Sequence, residues 1–127
     1  MGKATLVERD IEAGAKLVEA LDRADVDVAS AFWLLDQEGG GWSLYIASPL
    51  VDRIGPYSAY SRIRKVLEKS PTTINIDDIS AVSPGDRMVK LLQAAIRTGK
   101  HQIARVRFTR NVVNGTFIED ALIYRAA

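Results

Sequence analysis

The side chains able to do chemistry in this chain are carboxylates, arginines and one histidine. Cysteine is absent, which removes disulfides, thiolate metal sites and thiol nucleophiles. His101, the sole histidine, follows Gly99-Lys100 at a strand entrance, and no G-x-S-x-G supplies it with a nucleophile. No H-E-x-x-H or Cys/His cluster offers zinc ligands. Asp77-Asp78 and Glu119-Asp120 are adjacent acid pairs. Neighbours on a strand point to opposite faces, so Glu119 and Asp120 do not share one site. Asp120 with Asp77 or Asp78 could hold Mg²⁺, with Arg107 on a phosphate, as in a metal-dependent phosphodiesterase or nuclease. Nothing in the spacing requires this, because turn or ion-pair roles account for every member. No catalytic residue, metal ligand or cofactor is assigned, and the sequence leans away from an enzyme.

The arginines near the C-terminus keep aromatic company. Asn114-Gly115 separates two β-branched, aromatic-rich runs, the strongest short-range hairpin signal, since a type I′ turn needs positive φ at both central residues. That turn sets Val113 opposite Thr116, Val112 opposite Phe117, Arg110 opposite Glu119, Phe108 opposite Ala121 and Val106 opposite Ile123. One face is then apolar apart from the Arg110/Glu119 pair. The other carries Arg105, Arg107, Thr109 and Asn111 against Tyr124, Leu122, Asp120 and Ile118. Cations beside an aromatic ring on a β face are similar in chemistry to a stacking platform for single-stranded nucleic acid. No RRM, KH or zinc-finger spacing accompanies them, and the sequence pI of about 8.0 is below a strongly basic footprint.

The remaining elements must position these groups. Thr5 to Glu8 fits a capping box opening a helix to about Ala24, its acids outward and Gly14 marking close approach to a sheet. Residues 28–36 and 42–48 read as a hairpin across Gln37 to Gly41. Setting Asp36 against Trp42 puts Phe32 with Ile46 and Leu34 with Leu44 on one face, and Trp33 with Tyr45 on the other. No phosphate-loop lysine follows the glycines. Residues 48–56 read as a surface loop. Pro56 opens a helix to about Lys69, stopped by Ser70-Pro71, with Tyr60, Ile63, Val66 and Leu67 inward and Arg62, Arg64, Lys65 and Lys69 outward or flanking. A third strand falls at 72–76 or 78–82. Ser83 caps a last helix with Met88, Leu91, Leu92, Ala95 and Ile96 on one side, ending at Gly99.

The expectation is a single α+β domain over residues 1–127. Its order is α-β-β-α-β-α-β-β, a two-layer sandwich with a mainly antiparallel sheet of about five strands and helices on one face. A two-layer design leaves the second sheet face open, and that face would hold Trp33, Tyr45, Arg105, Arg107, Ile118, Leu122 and Tyr124. A contiguous apolar patch of that size is unusual on a monomer. The sequence therefore points to a small interaction or ligand-binding module, self-associating or docking another protein through this aromatic and basic face. Single-stranded nucleic-acid binding is the alternative. No membrane span is present, the N-terminal stretch lacks a signal-peptide core, and a cytoplasmic protein is expected. Residues 1–52 hold four Lys/Arg against ten Asp/Glu, and residues 53–127 hold thirteen against six. Such asymmetry points to an anionic partner or to head-to-tail association, unless the halves interleave in space.

Overall fold

A computed structural model describes residues 3–36, 38–70 and 72–127; Gln37 in the glycine loop and Pro71 as a helix stop lie outside them. The elements are α1 (Glu8–Arg23), β1 (Ser30–Asp36), β2 (Gly41–Ala47), α2 (Leu50–Lys69), a 3-10 turn (Ile76–Asp78), β3 (Ile79–Val82), α3 (Arg87–Ala95), β4 (Val106–Val113) and β5 (Thr116–Ala126). They form one five-stranded sheet of order β3-β2-β1-β5-β4. The α+β class, the element order and the mainly antiparallel pairing agree with the sequence reading. β3 occupies the later of the two candidate stretches and runs parallel to β2.

The helices do not share one face. Leu17, Val18 and Leu21 of α1 and Ile63 and Val66 of α2 pack with Trp33, Leu44, Ile46, Leu122 and Tyr124. Val89 and Leu92 of α3 pack against the opposite face, on Phe32, Ala121 and Ile123. Topology is the reason. β2 and β3 are parallel neighbours, so α2 is the crossover over one face. The chain must then travel from the β3 edge to the β4 edge, and α3 crosses on the side that α1 and α2 leave free. The expected two layers are therefore three, the third supplied by a short helix.

The C-terminal hairpin has the expected register, with Val106 on Ile123, Phe108 on Ala121 and Val112 on Phe117. Asn114 and Gly115 take positive φ of 48° and 79°, as a type I′ turn requires. The ladder skips Arg110, whose φ is 45°, so its expected pairing with Glu119 is not made. The β1–β2 hairpin closes one residue earlier than expected. Asp36 faces Gly41, Phe32 faces Tyr45 and Trp33 faces Leu44. Gly39 and Gly41, with φ of 85° and 77°, allow this tighter closure, and the slip exchanges the faces of β2.

Helix ends also move. Lys3 and Trp42 exchange backbone hydrogen bonds of 2.8 and 2.6 Å, which keeps the chain before α1 extended. The helix thus starts after Val7, whose N–H donates to Asp10 Oδ2 at 3.1 Å. Asp10 is buried and paired with Lys3 at 3.3 Å, not outward. Residues 50–54 are helical rather than loop, and Gly55, at φ 85°, breaks α2 just before Pro56. The cap of α3 is Asp86 rather than Ser83; its carboxylate accepts from Met88 N at 2.9 Å and Val89 N at 3.4 Å.

Two further details position side chains. The β1–β5 pairing passes from Ala31/Arg125 to Phe32/Ile123, leaving Tyr124 as the extra residue of a bulge. Consecutive residues Tyr124 and Arg125 therefore both reach α1. At the β3 edge, the Tyr60 hydroxyl donates to Ile79 O at 3.1 Å and accepts from Ala81 N at 2.9 Å.

Candidate functional site

The seven residues expected on one open face are distributed over two sides of the sheet. Trp33, Leu122 and Tyr124 are buried beneath α1. Trp33 Nε1 donates to Tyr124 Oη at 3.0 Å, and that hydroxyl donates to Ile11 O at 2.7 Å. Gly14 makes this approach possible, because a Cβ there would collide with the Tyr124 hydroxyl. Burial pushes the Tyr124 phenol well above its ordinary pKa. Ile118 is buried in the opposite cluster, and Tyr45 packs there too. The aromatic face is thus interior, and the docking surface drawn from the sequence is not formed. Two-residue periodicity had grouped the side chains, but α1 covers Trp33, Leu122 and Tyr124 while Tyr45 and Ile118 pack on the α3 side.

Arg105 and Arg107 are exposed but occupied. Arg105 Nη1 lies 2.7 Å from Glu12 Oε1 and 3.7 Å from Glu8, and its hydrogen bond holds the Glu12 carboxyl below the usual range. Arg107 makes a two-pronged contact with Asp120 at 2.7 and 2.8 Å and lies 5.5 Å from the centre of the Trp42 ring. That hydrogen bonding depresses the Asp120 pKa. Arg125, only 1% exposed, is held by Asp22 at 2.8 and 2.9 Å and by the carbonyls of Gln102 and Val28. The acidic first half and basic second half interleave in space, and the acids of α1 are largely matched by cations from elsewhere.

The space left open is on the α3 side. A cleft of about 670 Å³ lies between the first turn of α3, the turn end of the β1–β2 hairpin and the tip of the β4–β5 hairpin. Leu34, Tyr45, Met88 and Ile118 supply apolar surface, and Asp36, Glu38 and Glu119 stand with Arg87 at its polar margin. The Tyr45 ring stacks on Phe32 at 5.0 Å and 12°. Burial raises the Tyr45 phenol pKa, assisted by Asp86 and Asp36. Arg87 donates to Thr116 Oγ1 at 3.2 Å, tying α3 to the hairpin tip. Sequence reasoning missed Leu34, Arg87 and Met88 because it could not say which face α3 covers. The sequence reading ran this helix from Ser83 to Gly99, whereas its nine residues, Arg87–Ala95, are too few to cover a five-stranded sheet.

The carboxylates singled out in the sequence are not brought together. Asp78 lies by the β3 edge, paired with Lys3, whereas Asp120 belongs to β5, three strands away in the sheet order. Among the described residues no group of three His, Cys, Asp or Glu is placed to hold a metal ion. His101 is exposed in a shallow depression with Asp22, Asp25 and Asp27, lined by no hydroxyl or thiol, so a triad has no nucleophile. Among the described residues no helix is long and apolar enough to cross a membrane. Comparison with known proteins finds no matching family model, curated protein or solved structure.

Proposed function

We propose that this protein is a non-catalytic, cytoplasmic binding module whose ligand occupies the cleft beside α3. The observation that carries the reading is the hollow itself, about 670 Å³, within the roughly 300–1,000 Å³ range of small-molecule sites. Its lining supports a ligand with an apolar body against Leu34, Met88 and Ile118. A positively charged or hydrogen-donating end would face Asp36, Glu38 and Glu119. An anionic group on Arg105 or Arg107 is not favoured, since carboxylates already hold both. Calorimetric titration with 2-phenylethylamine and with 3-phenylpropanoate tests this. The amine binds, the acid does not, and Met88→Arg abolishes the heat. Equal heats from both compounds, or no response to the substitution, defeat the reading.

Self-association is the second reading, supported by the hairpin tip. There Val112 is 61% and Phe117 42% exposed as a cross-strand pair. A second copy over this tip would remove both from water. Light scattering at micromolar concentration giving a clean monomer mass ends that version.

A further inference from the structure

The cations of α2 differ from those of the hairpin. Arg62, Arg64, Lys65 and Lys69 are all exposed. Among the described residues none of these four side chains makes an ion pair or a hydrogen bond. Beside Arg62, Arg64 and Lys65, Tyr57 is 87% exposed, an aromatic ring left in water at the start of the segment that Gly55 redirects. Two depressions of about 500 and 370 Å³ flank it and share Tyr57 and Ser61 as lining. Arg64 lies in the first, with Ser43, Ser80 and one acid, Asp77, with which it makes no ion pair; Arg62 and Lys65 lie in the second, which holds no acid.

We propose that this outward side of α2 binds single-stranded nucleic acid, with a base stacked on Tyr57 and the flanking phosphates on Arg64 on one side and Arg62 and Lys65 on the other. This site is separate from the cleft beside α3, which is on the opposite face of the sheet. Unneutralised cations supply the charge complementarity, and an exposed ring supplies a sequence-tolerant stacking surface. A lipid surface fits less well, because an interfacial helix needs a free apolar face, and that of α2 (Ala59, Ile63, Val66) is spent on the core. The ground beneath the patch is firm, since Tyr60 is pinned to β3 by two hydrogen bonds.

The test is fluorescence anisotropy with a labelled 12-nucleotide single-stranded pyrimidine DNA at 50 and 200 mM salt. Binding falls with salt at a log–log slope of about −2 for three neutralised phosphates, each single-strand contact giving roughly −0.7. Tyr57→Ala weakens binding about tenfold without changing the slope. Arg64→Ala weakens it and reduces the slope by about 0.7. Both residues are on the surface, and circular dichroism confirms that the variants fold. No binding at 50 mM salt overturns the proposal. So does an unchanged affinity in Tyr57→Ala, a tighter complex with duplex DNA, preferential binding to acidic vesicles, or a loss in Arg107→Ala as large as in Arg64→Ala.

Discussion

Above one face of the sheet lie the sixteen residues of α1 and the twenty of α2; above the other lie the nine of α3. The central strands β1 and β2 carry apolar side chains on both faces, so their composition does not decide which face is open. Helix length does. Under the long helices the polar atoms of Trp33, Tyr124 and Arg125 are hydrogen-bonded. Under the short one a cleft remains, and Phe117 and Val112 reach water. The difference teaches that a buried aromatic face with satisfied polar tips is architecture, and that the candidate site is where cover runs out.

Substitutions can break or sharpen this contrast. Asp22→Ala leaves the Arg125 guanidinium in the interior without its carboxylate, and breaking such a pair costs about 3 kcal/mol; urea unfolding should show that loss. Gly14→Ala should destabilise by about 2 kcal/mol through overpacking against Tyr124. A solvent-facing helix glycine would gain about 1 kcal/mol from the same change, so a stabilised Gly14→Ala protein would show that the α1–sheet contact is loose. Phe117→Ser, on the open side, should cost under about 1 kcal/mol. A loss equal to that of Gly14→Ala would mean that the hairpin tip is packed as tightly as the covered face.

The smallest effect concerns acid. The folded Asp120 pKa is depressed below its ordinary 3.8 by Arg107. The pair therefore stabilises the fold above that ordinary value, and the contribution is lost as pH falls through the lower folded value. Arg107 is partly exposed, so screening holds the effect under about 1 kcal/mol. Thermal melts should show Asp120→Asn slightly less stable than wild type at pH 7 and the gap closing below about pH 4. A gap that widens in acid would contradict the pairing.

Where the sequence was legible, a local rule had one solution. Asn114-Gly115 admits one tight turn, and the register of β4 and β5 follows from it. The β1–β2 register was not legible because three consecutive glycines permit closure at more than one residue, and the side chains of β2 change faces with the choice. The apolar stripe of α3 was legible, yet its side of the sheet was not, since that depends on a crossover made earlier by α2. The binding surface was misplaced for the same reason: alternation shows which residues travel together, whereas cover is a tertiary property. The basic side of α2 was visible in the sequence. Its significance rests on which cations find acids, and that needs coordinates.

Tyr60 carries a consequence beyond its own helix. Its hydroxyl occupies the outward carbonyl of Ile79 and amide of Ala81, the two groups an incoming chain would use to lengthen the sheet at β3. A single phenol thus acts as a terminating rung. Growth of this sheet into a fibril from that margin requires the phenol to be evicted first.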